Sequence, residues 1–318
     1  MLQLTAMDYN RLEQTNRLDV CVAGSEMNTA VAAERLGLNT AFVTRLTNNG
    51  LGRMIANKAR EHGVDTSNII WTEDDRVGLF FLEEGANPRP RSVIYDRGNA
   101  AITKFAPESL SWGPLLEDCT LFHTSGITPA LSNSVRETVK HVMKKAKDTD
   151  TKVSIDLNYR AKLWSEQEAQ ACMEELMEYT DLLVTSEEDT ERVFNITGED
   201  YSEVAQKLEA EFDLEAVAIT IRDNISMWRN NWTAIAYKDG KTYSDTNYEL
   251  ELVGRVGGGD SFTGGFLYGY LTGDIKKALE YGNASSALKQ TNPGDFNWAT
   301  KEEVQTLAEG GQRVRVDR

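Results

Sequence analysis

Gly254-Arg255-Val256-Gly257-Gly258-Gly259-Asp260-Ser261-Phe262-Thr263-Gly264-Gly265-Phe266 runs three consecutive glycines into an aspartate and then into an apolar pattern at helical spacing, continued by Leu267, Tyr270 and Leu271. Glycine adopts backbone geometry that other residues resist, so successive N–H groups converge on one point. A helix that starts at the third glycine aims its unpaired N-terminal amides and the positive end of its dipole at that same point. Such a site suits a phosphate, or negative charge developing on one. Asp260, at its edge, repels a resting phosphate; a proton taken from an attacking hydroxyl would explain it. An aspartate in a first helical turn also stabilises the dipole with no chemistry at all. From this stretch alone both readings stand. It is not a Walker loop, which needs Gly-Lys-Ser/Thr. Nor is it a dinucleotide fingerprint, which would open the first βαβ unit.

Outward from this loop the chain alternates strands and helices. Ala41–Val43, Ile69–Trp71, Leu121–Thr124, Lys152–Asp156, Asp181–Thr185 and Ala216–Ile221 have the apolar, β-branched character of strands. After Gly24–Asn28, helical periodicity at Ala30, Val31, Ala33 and Leu36 predicts a helix stopped by Gly37, and further helices run from about 51 to 62, 132 to 147, 165 to 178, 187 to 194 and 201 to 212. Three more fall near 259–271, 275–290 and 301–308. The start, Met1 to Val22, is irregular and polar apart from strand-like Leu18–Val22. Val77–Leu82 and Ser92–Tyr95 follow each other with no helix between, which predicts a hairpin flap. Trp232–Tyr237 and Lys241–Tyr243 make a second hairpin around Asp239-Gly240. The pattern predicts an α/β fold, a mostly parallel sheet with helices on both faces and a small β lid. Ligands of such sheets bind at the carboxyl ends of the strands, which selects Asn158, Arg160, Ser186, Thr220 and the glycine loop.

The totals narrow the class. A chain of 318 residues with 40% hydrophobic and 26% charged residues buries a sizeable core as one large α/β domain or two modest ones. A formal charge of −16 argues against a nucleic-acid partner, which requires a basic face. Cys21, Cys119 and Cys172 are scattered and odd in number, so neither a disulfide framework nor a zinc site is indicated. No long apolar run or signal peptide is visible, and the expectation is a reduced cytoplasmic protein with no membrane partner.

Taken together, ordered blocks along nearly the whole chain resemble the ribokinase-like (pfkB-type) carbohydrate kinases. These are Gly24-Ser25-Glu26-Met27-Asn28, Arg35-Leu36-Gly37, Gly63-Val64-Asp65-Thr66-Ser67 and the glycine loop. Tyr95-Asp96-Arg97, His123–Leu131, Asp156–Trp164, Ile219–Arg222, Asn292–Asp295 and Arg313–Arg318 are similar to the group acting on keto-deoxy sugar acids such as 2-keto-3-deoxygluconate. The resemblance implies a three-layer ribokinase-like domain over 1–318, with a lid formed by about 12–24 and 77–100 and a nucleotide-binding part at about 180–318. It implies ATP-dependent phosphorylation of the sugar acid at its terminal (C6) hydroxyl, a step of an Entner–Doudoroff-type route. Asp260 is then the general base, and the Gly257, Gly258 and Gly259 amides form the anion hole, in keeping with phosphoryl transfer as mostly positioning and charge stabilisation.

By matching position, Gly24, Ser25, Asn28, Phe80, Tyr95, Arg97, Arg160, Asp260 and Asp295 contact the substrate. Arg97 and Arg160 are assigned to its carboxylate and phosphate, because a guanidinium pairs bidentately with such groups. Without the resemblance, an arginine on an edge strand reads first as a solvated gatekeeper. Asn158, Ser186, Thr220, Arg222, Gly257, Gly259 and Asn283 take the ATP side. Mg2+ is held chiefly by the nucleotide phosphates, with Asp189 reaching it through water. His62, His123 and His141 are structural. A homo-oligomer through the lid is expected. The same fold serves kinases of fructose or of the galacto epimer, and a non-catalytic sugar-acid-binding paralogue is the rival from another class.

Several positions depart from the family pattern. Gly254 replaces an aspartate, which counts against potassium activation; Ser186 replaces an asparagine, Ala23 a glycine and Phe80 a tyrosine. The short apolar strand that precedes the segment matching Met1–Thr5 in relatives is missing, which leaves central-sheet backbone groups without partners. A start placed too far downstream is the preferred explanation, and a damaged paralogue the other.

Overall fold

The structure, a computed structural model, describes residues 1–311; the Arg313–Arg318 block lies outside them. A central sheet carries the strands β7 (Leu121–Ser125), β8 (Lys152–Asp156), β9 (Leu182–Ser186), β10 (Ala216–Asn224), β11 (Arg229–Lys238) and β12 (Lys241–Ser244), with β13 (Tyr248–Glu251) also paired to β11. Strands β7 to β10 are mutually parallel, and β11 turns back antiparallel on β10.

The apolar runs explain why helices cover both faces. Leu183, Val217 and Ile219 enter one core with Val139, Met143, Met173 and Leu208, from α4 (Asn133–Asp148), α5 (Glu166–Met177) and α7 (Tyr201–Phe212). Their neighbours Leu182, Val184, Ala216 and Ala218 enter the opposite core with Phe262, Phe266 and Leu279, from α8 (Gly258–Thr272) and α9 (Ile275–Gln290). Alternation at period two along a continuously apolar strand is what a sheet buried on both faces requires. The fold is the expected three-layer ribokinase-like α/β arrangement.

A second sheet forms the lid, in the order β2 (Leu18–Val22), β1 (Leu2–Ala6), β5 (Leu79–Glu83), β6 (Ser92–Asp96). This corrects the irregular start expected from sequence. Leu2–Ala6 alternates apolar Leu2, Leu4 and Ala6 with polar Gln3 and Thr5, and it is a strand because β2 and β5 flank it on both sides. Tertiary pairing overrides weak local preference there. The strand expected at Ala41–Val43 is also displaced. Ala41 makes only an isolated bridge to Asp65, while Arg45–Thr47 (β3) pairs with Ile70–Thr72 (β4) in a separate two-stranded sheet. Among the described residues no strand lies on the outer edge of β7, so the central strand expected from relatives is not formed by this segment.

Helix α1 (Ser25–Leu36) leaves the lid and packs against α8. Gly264 makes that approach close, since a Cβ there would sit 2.6 Å from the Ala32 Cβ. This contact sets the first turn of α1 beside the first turn of α8, where the site lies.

Candidate active site

Helix α8 begins at Gly258, one residue earlier than expected, with Gly257 as its N-cap at φ 81°. A side chain at 257 would be strained in that left-handed conformation and would meet the Asp295 carbonyl oxygen at 2.0 Å. Apart from its own helix, nothing lies within 4 Å of where a Cβ on Gly259 would stand. The loop is held from behind by Arg255, which donates to the Asn224 side chain at 3.1 Å and to the Ser226 carbonyl at 2.9 Å.

Asp260, in the first turn, is buried, and both its oxygens are held from α1. Ser25 Oγ donates to Oδ1 at 2.7 Å, and Asn28 Nδ2 donates to Oδ2 at 2.6 Å. Asn158, following β8 with φ 39°, extends the chain by donating to Ser25 Oγ at 3.1 Å. Burial raises the Asp260 carboxyl above the usual range, while the hydrogen bonds from Asn28 and Ser25 oppose the shift. Asp156 is raised well above its usual value by burial, with Asp260 and Asp189 adding to it. Asp295 is pushed up to about 7, by burial first and then by Asp260. Three carboxyl groups that resist ionising together are suited to proton exchange with hydroxyls.

The lid supplies the opposite wall. Phe80 and Tyr95 are register partners on β5 and β6, with ring centroids 5.8 Å apart. The Arg97 guanidinium stacks on Tyr95 at 4.0 Å and leaves its buried Nη2 without a hydrogen-bond partner. Burial lowers its affinity for the proton, and nearby Arg160 lowers it further. Among the described residues neither arginine has an ion-pair partner. Two guanidiniums near each other, one half-buried, carry the charge and the donors that an anion requires.

On the far side Ser186 caps α6 (Glu187–Phe194) by accepting from the Asp189 amide at 3.2 Å, which accounts for a serine at this position. Thr220 Oγ1 donates to the Thr185 carbonyl at 3.2 Å. Together with Arg222 and Asp189 these residues line one cleft of about 1160 Å³ with Gly24, Ser25, Asn28, Phe80, Tyr95, Arg97, Asn158, Arg160, Gly257, Gly258, Gly259, Asp260 and Asp295. Asn283 is not brought to it. It is fully buried in α9, donating to Asp245 and to the Thr246 carbonyl at 2.9 and 2.7 Å.

Asp156, Arg255 and Gln290 also line the cleft and were not among the site residues expected from sequence. Asp156 had a usable signal, since it ends a strand two residues before Asn158. His62 packs edge-on against Phe296 and Trp298, and His123 Nδ1 lies 3.2 Å from Ser154 Oγ.

The chain is 38% identical to the 2-dehydro-3-deoxygalactonokinase of Haloferax volcanii, covering all of this chain and 96% of that one. It is 31% identical to the 5-dehydro-2-deoxygluconokinase of Bacillus licheniformis over 90% of this chain and 86% of that one. The crystal structure of the 2-dehydro-3-deoxygluconokinase from Thermotoga maritima superposes with a TM-score of 0.94 at 39% identity, covering 98% and 96% of the two chains. Residues 1–301 match the pfkB family carbohydrate kinases, and the chain belongs to that family.

Proposed function

We propose that this kinase transfers the γ-phosphoryl group of ATP to the terminal C6 hydroxyl of 2-keto-3-deoxy-D-gluconate. The observation that carries it is the unpaired Arg97–Arg160 pair in the same cleft as Asp260 and the α8 N-terminus. A neutral sugar offers these guanidiniums only hydroxyls; a sugar acid brings a carboxylate that pairs with them bidentately. Asp260, already in contact with Ser25 and Asn28, takes the proton as the hydroxyl attacks. The Gly257–Gly259 amides meet the charge on the transferring group. Ser186, Thr220, Arg222 and Gly257 line the nucleotide side, with Asn158 between the two substrates.

Among the described residues there is no cluster of three metal-ligating side chains. Asp189, raised above its usual range by burial, is a weak direct ligand. The donor set fits Mg2+ held mainly by the nucleotide phosphates, with Asp189 reaching it through water.

The galacto epimer is the second reading. Relatives named for the two epimers stand at 38% and 39% identity, which ranks neither. Measuring ADP release with both epimers, beside fructose and gluconate, tests the proposal. Turnover on a keto-deoxy acid and none on fructose supports it; equal turnover on fructose removes the role given to the arginines.

The lid's outer face fits a homo-oligomer. Val20, Leu4, Phe81 and Ile94 stand in register across four strands, with Val20 48% and Ile94 55% exposed.

A further inference from the structure

Lys289, in the last turn of α9, is fully buried, whereas a lysine at a helix end usually reaches into water. Among the described residues it has no ion-pair partner. Its ammonium donates instead to two main-chain carbonyls, Gly254 at 3.2 Å and Asn292 at 3.3 Å. Those carbonyls belong to the two loops that build the site: 254–257 leads into the anion hole, and 292–295 leads to Asp295.

The loops lie backbone to backbone. The amides of Val253 and Gly254 both donate to the Gln290 carbonyl, at 2.9 and 3.1 Å. A Cβ on Gly254 would stand 2.3 Å from the Asn292 carbonyl oxygen. Such crowding points carbonyl oxygens of both loops at one spot, and converging lone pairs repel unless a cation sits among them. Burial pulls the Lys289 ammonium down to about 8, while Asp295 and Asp260 hold it up and Arg91 opposes them. Two carbonyl acceptors at one nitrogen suit the charged form.

The geometry points to Lys289 as a positioning residue: a tethered cation that clamps the 254–257 and 292–295 loops together and so fixes the anion hole relative to Asp260 and Asp295. It takes the place that a bound monovalent ion would otherwise occupy between those carbonyls. The inference rests on the phosphoryl-transfer reading of the site, because its consequence is the placing of the Gly257–Gly259 amides.

The test compares the full-length wild type with Lys289→Met, which keeps length without charge, and Lys289→Ala, which leaves room for a small cation. Wild-type rates are expected to be the same in potassium and tetramethylammonium salts. Lys289→Met should stay folded by thermal unfolding yet lose about 100-fold in kcat, with the sugar KM moving less than about threefold. In Lys289→Ala, ethylammonium or potassium should restore activity saturably, which a merely structural lysine would not allow. Potassium dependence in the wild type, a Lys289→Met kcat within about threefold of wild type, or a folded Lys289→Ala deaf to cations would each overturn the assignment. Unfolding of both variants would also overturn it, making the ammonium a folding element. A wild type inactive on every acceptor would count against the proposed function alone. Calorimetric binding of inorganic phosphate then decides the role of Lys289: about tenfold weaker binding in Lys289→Met supports it, and equal or absent binding in both refutes it.

Discussion

Asn28 Nδ2 lies 2.6 Å from Asp260 Oδ2, joining the first turn of α1 to the first turn of α8 across 232 residues of chain. That hydrogen bond and its partner from Ser25 favour the ionised carboxyl, against the burial that raises it. They hold the carboxyl in the ionised form that the proposed base requires.

Removing Asn28 therefore has a predictable sign. In Asn28→Ala the Asp260 carboxyl rises further, so more of the enzyme carries a protonated, inactive base at a given pH. The acid limb of kcat/KM, expected above the ordinary carboxylate range in the wild type, should move to higher pH. At neutral pH kcat/KM should fall about tenfold or more. A pH–rate profile that keeps its acid limb in the variant would remove Asp260 from that limb.

Arg97 stacks on Tyr95 and leaves a buried Nη2 free. Arg97→Lys retains charge and loses the planar fork, so the KM for a keto-deoxy acid should rise about tenfold with kcat little changed. The KM for ATP should stay where it was. Steady-state kinetics with each substrate varied in turn separates these effects, and a selective rise in the ATP KM would move Arg97 to the nucleotide side.

Asp295 ties stability to pH. Its folded carboxyl titrates at about 7, above its unfolded value, so the stability it contributes is complete at low pH and is lost as pH rises through 7. Asp295→Asn stays neutral throughout. The variant should gain stability over the wild type at pH 8, on the order of 1–3 kcal/mol, and much less at pH 5. Urea unfolding at the two pH values measures the difference.

Ile94 and Val20 close the two ends of the exposed lid row. A charge in an apolar contact between copies is costly, so Ile94→Glu should lower the mass found by light scattering to that of a single chain. An unchanged mass in a folded variant would place any association elsewhere.

The glycine loop and its aspartate were legible because their chemistry is local: three glycines, an acid and a helical repeat announce themselves within thirteen residues. Helices α6, α7, α9 and α10 (Lys301–Ala308) likewise fall where apolar spacing and caps place them. Leu2–Ala6 was not legible, because its strand state comes from β2 and β5 rather than from its own residues. Asn283 was assigned by position alone, and only the fold shows that Asp245 and Thr246 claim its side chain. Lys289 was not singled out in the sequence. Nothing in its neighbours along the chain reveals that the Gly254 carbonyl, 35 residues away, receives its ammonium.

The central claim is that Asp260 takes the proton from a sugar-acid hydroxyl, and Asp260→Asn tests it most directly. The substitution keeps size and the capacity to meet Ser25 and Asn28, and it removes the base. ATP consumption with 2-keto-3-deoxygluconate should fall by a factor of about 100 to 10,000, while calorimetry shows sugar acid and nucleotide still bound. Turnover within about tenfold of wild type, with both ligands bound, would contradict the assignment of Asp260 as general base.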